Sequence, residues 1–206
     1  MIGKHHCSAN FALACFGLSA GCFLYRKGIF PGVLSGLSHQ LFLHGRYGGL
    51  LSVLTGISGL WLGAYLPDCD METSAIGRYF HIPVEHRTWT HSVWFLLLLA
   101  GVSAITGLFL PVVSHVVLWT GIGCFLHIFV DSLSRGGICW FYPLSQYKTY
   151  SSGARIKPGQ KIKLYYTGKD SEKTTLFFLC FASYALSYFF LRYGGWSVVD
   201  LFFRMF

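Results

Sequence analysis

Residues 92–131 read SVWFLLLLAGVSAITGLFLPVVSHVVLWTGIGCFLHIFVD and carry no Asp, Glu, Lys or Arg before Asp131. An apolar run of this length is enough for two crossings of a hydrocarbon core, at roughly 20 residues each. Pro111 interrupts it near its middle. Proline removes a helical N–H and clashes with the preceding turn, so two spans are expected, 92–112 and 113–130, joined as a tight helical hairpin. The run closes on His127 and Asp131, whose spacing of four puts both side chains on one helix face, one turn apart. Two ligands so placed can share a metal ion, or the Asp can orient the His from behind. A buried His–Asp hydrogen bond between helices is the plainer alternative.

Working outward, three more stretches are long and apolar enough to span: 8–25, 47–66 and 174–191. The chain is 53% hydrophobic and only 12% charged, against about a quarter charged in a soluble domain. The expected fold is therefore an all-α, polytopic membrane helical bundle of about five transmembrane helices, forming one domain over residues 1–206. Residues 29–43 (IFPGVLSGLSHQLFL) are too short and too polar to cross, and are expected to lie in the interface or to re-enter. Residues 131–173 are the one sizeable polar insertion. Within them 153–164 alternates apolar and basic residues about Pro158-Gly159, a hairpin signal. Ser19-Ala20-Gly21-Cys22 loosely resembles a lipoprotein cleavage site, but only Lys4 precedes the apolar run, so cleavage is not expected.

The seven cysteines are odd in number and form no CxxC pair. Most lie in apolar runs, where a thiol behaves as a small hydrophobe, so no disulfide framework is expected. The net charge of +8 gathers in one loop that lacks a nucleic-acid-binding motif. The partners expected are therefore the membrane and a lipid, with no nucleic acid; the sequence leaves oligomeric state open.

Five spans place the N-terminus, the 67–91 loop and the 131–173 loop on one side. That side holds Lys4, Arg78, Arg87, Arg135, Lys148, Arg155, Lys157, Lys161, Lys163, Lys169 and Lys173, eleven of the 16 Lys and Arg residues. Arg26, Lys27, Arg46, Arg192 and Arg204 fall on the other. The bias assigns the first side to the cytoplasm. His6, Asp68, Asp70, His86, His91, His127 and Asp131 all fall there too. Ionisable groups at membrane depth are costly and mark functional sites.

Five of these residues sit in three short motifs. In His86-Arg87-Thr88-Trp89-Thr90-His91-Ser92, Thr88 and Thr90 suit N-capping, and a helix start beside Arg87 suits a phosphate oxygen. The alternative is an interfacial loop anchored by His and Trp. Pro67-Asp68-Cys69-Asp70 ends a span on two carboxylates, which can bridge metal ions. Acids at a helix C-terminus oppose the dipole, so a metal or an Arg is expected as counter-ion. His5-His6 precedes the first span, and Glu172 opens the last, where a Glu in the first turn is ordinary capping. His39, His44, His81 and His115 read as interfacial or packing residues.

Gly3-Lys4-His5-His6, Leu66-Pro67-Asp68-Cys69-Asp70, the His86–Ser92 string, His127-Ile-Phe-Val-Asp131-Ser-Leu, Tyr142-Pro143-Leu144-Ser145 and Thr167-Gly168 with Glu172 together resemble the YdjM-like family of bacterial inner-membrane proteins. Those are described as metal-dependent hydrolases and look distantly similar to zinc-dependent phospholipases C and related nucleases. The resemblance implies His6, Asp68, His91, His127 and Asp131 as ligands, with His86 and Glu172 as ligands or acid–base groups. Here His5 stands where the family usually has Thr, which leaves open whether His5 or His6 faces the site.

The reading from these residues is a membrane-embedded hydrolase of a phosphate ester, on a phospholipid or lipid-linked phosphate, at the cytoplasmic face of a bacterial inner membrane. One to three divalent ions, zinc expected, would be held by His6, Asp68, Asp70, His91, His127 and Asp131, with His86, Arg87 and Glu172 as catalytic groups. The alternative is a non-enzymatic membrane protein with a structural or sensory metal. A haem protein would need His pairs facing one another across spans, and an intramembrane metalloprotease would need HExxH; neither pattern is present.

Overall fold

The computed structural model describes residues 3–33, 36, 41, 43, 48–144, 148–149, 155–156 and 164–193. Among the described residues five long helices carry the fold: α1 (Gly3–Arg26), α2 (Gly48–Tyr65), α3 (Val93–Gly107), α4 (Pro111–Ser132) and α5 (Asp170–Tyr193). Four are long and apolar enough to cross a membrane, α2 being continued by the 3-10 turn Leu66–Asp70. The fifth, α3, has 15 residues, about 22 Å at the helical rise.

The expected hairpin is present, with both boundaries moved. α3 stops at Gly107, and Leu108, Phe109 and Leu110 make the turn. Pro111 opens α4, a position where its missing N–H has no helical partner to lose. Two hydroxyls clamp the pair: Ser103 Oγ donates to Ser114 O at 3.0 Å, and Ser114 Oγ to Ser103 O at 2.7 Å.

α4 is central and packs on α1, α2 and α3, while α5 packs on α1. The α2–α4 contact is made of glycines. Gly63 and Gly123 pack backbone to backbone, and Gly59 lies under Trp119, the close approach that small residues permit between membrane helices. Outward faces carry Leu97, Leu98, Ile105, Phe177 and Phe181, all exposed, as lipid-facing surfaces require.

His115, twelve residues before His127 on α4, is buried as a packing residue between Thr55 Oγ1 (2.7 Å) and Leu41 O (2.8 Å). His39, His44 and about half of the 29–43 stretch lie outside the described residues. Past α4 the chain returns on itself: Leu164 N donates to Leu133 O, and Arg135 N to Tyr165 O, each at 2.9 Å. Lys148–Thr149 pairs antiparallel with Arg155–Ile156, a pairing that does not test the hairpin expected about Pro158-Gly159. Pro158 and Gly159 lie outside the described residues.

Alternating crossings bring five ends together: the start of α1, the 3-10 turn after α2, the start of α3, the end of α4 and the start of α5.

Candidate metal centre

His127 and Asp131 face inward from the last two turns of α4, and both are buried. His127 Nδ1 lies 2.8 Å from Ala64 O, one of the α2 carbonyls left over where that helix ends. A carbonyl only accepts, so the ring proton sits on Nδ1 and Nε2 presents its lone pair. That nitrogen is 3.5 Å from Asp68 Oδ1. His6 stacks on His127 with ring centroids 3.6 Å apart, and its Nε2 is 3.3 Å from Asp131 Oδ1. His91 Nε2 is 3.7 Å from Asp68 Oδ1 and 3.9 Å from Asp131 Oδ2.

The Nε2 atoms of His6, His91 and His127 are buried without a hydrogen-bond partner among the described residues. Buried polar atoms are normally satisfied, and leaving three orphaned together is costly. A cation resolves all three. Ligands about 2.1 Å from a tetrahedral ion stand about 3.4 Å apart, close to the separations seen here. His6, His127 and Asp131 form one group able to hold an ion, and Asp68, His91 and His127 a second, with His127 in both. Charge agrees. Asp68, Asp70 and Asp131 bring three carboxylates together, and the Arg87 guanidinium, whose Nη2 is 2.9 Å from Asp131 Oδ2, pairs with one of them. Burial pushes the His91 imidazole down, but the carboxylates of Asp68, Asp70 and Asp131 outweigh it and hold its pKa above the ordinary value.

Asp70 belongs to a third group with His86 and His91, and its oxygens are heavily used. Oδ1 is 2.7 Å from His86 Nδ1, and Oδ2 accepts from Thr90 Oγ1 at 2.6 Å and from the Arg87 amide at 3.2 Å. Where a metal or an Arg is expected against this acidic helix end, the neighbours present are His91 and His127 beside Asp68, and His86, the Thr90 hydroxyl and a backbone N–H on Asp70. Arg87 has φ +66°, a left-handed conformation that non-glycine residues rarely hold without surrounding support. Its guanidinium also reaches Ser134 Oγ and Gly137 O. Gly136 makes room for it: a Cβ there would sit 2.4 Å from Arg87 Nη1.

The helix-start reading of Thr88–Ser92 needs correction. Thr88 is the N-cap of the 3-10 turn Trp89–His91 but makes no side-chain cap bond; its Oγ1 donates to Glu85 O, and Thr90, inside that turn, donates its Oγ1 to Asp70. Ser92 is the N-cap of α3 and makes no side-chain cap bond. The amides of His91, Ser92 and Val93 donate to the carbonyls of Thr88, Trp89 and Trp140, so those three N–H groups are taken and do not await an anion.

His6, not His5, turns into the cluster. His5 Nδ1 lies 2.5 Å from Glu172 Oε1, and Glu172 Oε2 accepts from Gly168 N at 2.6 Å. Glu172 is buried but outside the three ligand groups. It ties the start of α5 to the start of α1 and to the 165–168 segment. Tyr165, buried beside it, donates its hydroxyl to Val130 O at 3.0 Å. Burial, with Asp131 nearby, pushes this phenol up, so it stays neutral.

A cavity of about 470 Å³ opens over the cluster, lined by Asp68, Met71, His86, Arg87, Asp131, Arg135, Gly136, Tyr166 and Thr167. Arg135 stacks 4.3 Å from the centre of the Tyr166 ring and bonds its hydroxyl. The sequence reading did not single out Asn10, Ser134 or Gly136. Asn10 carried a legible signal, as a polar amide inside an apolar span one turn after His6.

Comparison with curated proteins and with solved structures returned no match. A family profile does match, over residues 29–195, a range that takes in α2 to α5 and every candidate site residue except His6. The chain belongs to the YdjM inner membrane protein family.

Proposed function

We propose that this multi-pass inner-membrane protein is a metal-dependent hydrolase of lipid-borne phosphate esters, working at the cytoplasmic face with zinc as its cation. The observation that carries this reading is the cavity whose floor is Asp68 and Asp131 and whose walls are His86, Arg87 and Arg135. It joins an orphaned N/O ligand cluster to basic groups in a space of headgroup size. His6, His91, His127, Asp68 and Asp131 would hold the cation, a nitrogen and oxygen donor set suited to zinc. Bound there, a divalent cation supplies a water acidified to near neutrality and a Lewis acid for the phosphoryl oxygen.

The remaining residues have separable tasks. Asp70 holds His86 by its Nδ1–H and fixes the tautomer, so Nε2 is the atom that exchanges a proton with the leaving oxygen. Arg87, bonded to Asp131, Ser134 and Gly137, positions Asp131. Arg135 at the lip binds the phosphate. Glu172 sets the wall that carries Tyr166 and Thr167. The exposed apolar faces of the helices favour a substrate with an apolar tail, and the eleven-to-five bias of basic residues favours the cytoplasmic side.

The test is protein purified in detergent, its metal counted by elemental analysis, and a panel of phosphate esters with and without lipid tails. Wild type is expected to carry metal and to hydrolyse a lipid-tailed ester. His86→Gln is expected to keep its metal and to lose turnover by about 10²–10⁴-fold, the usual size of a proton-transfer contribution. Metal-loaded wild type that cleaves no ester on the panel would overturn the enzymatic reading in favour of a structural or sensory site.

A further inference from the structure

His6 poses a problem that its metal-facing nitrogen does not solve. A histidine that ligates through Nε2 carries its proton on Nδ1, and that proton normally finds an acceptor. For His127 the acceptor is Ala64 O. His6 Nδ1 has none among the described residues, although His6 is completely buried.

One other side-chain atom on α1 shares this condition. Asn10 is also completely buried, and its Oδ1 has no hydrogen-bond partner among the described residues. Its orientation is fixed from the other end. Nδ2 donates to Gly123 O at 2.9 Å, and a carbonyl partner admits only the NH₂ side of the amide. Oδ1 is therefore a free acceptor. Asn10 lies four residues after His6, one turn along the same helix face, the spacing at which helical side chains hydrogen-bond to each other. An orphaned donor and an orphaned acceptor, both fully buried, one turn apart, match each other.

We propose that Asn10 is a positioning residue for the metal centre: with the cation bound, its Oδ1 accepts the His6 Nδ1–H, directly or across one buried water, and fixes the tautomer that turns Nε2 to the ion. This rests on the metal reading above. Asn10 also hangs α1 on the Gly123 carbonyl of α4, one turn before His127, so the amide sets the spacing between two ligand-bearing helices as well as the ring it faces.

Two substitutions separate these tasks. Asn10→Asp keeps an acceptor and loses the donor to Gly123. Asn10→Leu keeps the volume and loses both. The probe is Co²⁺, titrated into metal-stripped, detergent-purified full-length protein and followed by its visible absorption, with thermal melting as a check on folding. The Leu variant is expected to bind Co²⁺ about 10–100-fold more weakly, the usual cost of losing such a partner, and the Asp variant within about threefold of wild type. An Asp variant weakened as much as Leu, with helices intact, would show that the Gly123 bond is the whole role of Asn10 and would overturn the proposal. Should the Leu protein fail to fold, an Asp variant with intact helices that binds Co²⁺ about tenfold or more weakly than wild type overturns the proposal by itself. Wild type that takes up no Co²⁺ would overturn the metal reading itself.

Discussion

His127→Ala will purify with little or no bound metal and without hydrolytic activity, while its helices remain assembled. His127 is shared by the group of His6, His127 and Asp131 and the group of Asp68, His91 and His127, so its loss opens both. Structural zinc sites release about 10–16 kcal/mol over four ligands, roughly 3 kcal/mol per ligand, or about 100-fold in affinity for one. Asp131→Asn should match it for a second reason. Asp131 faces His6 and His91 and anchors Arg87, so its charge is used three times. His115→Ala is the control: it removes another buried histidine of α4 whose partners are Thr55 and Leu41, and it should melt earlier while keeping its metal. Elemental analysis of the three proteins decides the matter. Full metal content in His127→Ala would end the assignment of this cluster as a metal centre.

Uptake should also depend on pH with a definite sign. The metal-free cluster holds the His91 pKa above its ordinary value, and a ligand must shed its proton to bind. Affinity should therefore fall by about tenfold for each pH unit below that raised pKa, and the fall should begin at a higher pH than for an isolated histidine.

The parts of this site legible in the sequence are those that obey local rules. The i, i+4 spacing announced His127 and Asp131 as neighbours, and the ordering of five apolar stretches put His6, Asp68 and His91 at the same level. His5 and His6 could not be told apart, because successive helical residues point about 100° from each other and only the position of α4 says which direction is inward. The expectation that Thr88 and Thr90 cap a helix holds only for the position of Thr88, for a similar reason. Thr88 holds the N-cap position without a side-chain cap bond and Thr90 lies inside the 3-10 turn Trp89–His91, where its hydroxyl meets Asp70, which arrives from another span. The exit from α3 came early because Leu108–Leu110, though apolar, form the turn before Pro111. Asn10 was visible as a polar residue in a span, but its partner Gly123 is 113 positions away, and nothing local specifies that pairing.

The second large effect is expected far from any ligand, at Gly63. A Cβ on Gly63 would lie 2.4 Å from Thr120 O, 2.7 Å from Cys124 N and 2.7 Å from Gly123 Cα. All three are backbone atoms of α4, so no side chain can rotate aside; the helices must separate. Overpacking of this kind costs about 1–3 kcal/mol, so Gly63→Ala should lower the melting temperature by roughly 3–10 °C at this chain size, and Gly63→Val by more. The interface that must widen is the one on which the centre depends. Ala64 O, which fixes the His127 tautomer, is the next residue on α2, and Asp68 follows one turn later to meet His127 at 3.5 Å. Gly63→Val should therefore weaken Co²⁺ binding as well as stability, although it touches no ligand. Gly101→Val, on the open face of α3 where a Cβ meets nothing within 4 Å, should do neither. A Gly63→Val protein with wild-type melting and wild-type metal affinity would show that the α2–α4 contact does not set the spacing of the ligands. The glycine seam and the histidine cluster would then have to be treated as independent features of the fold.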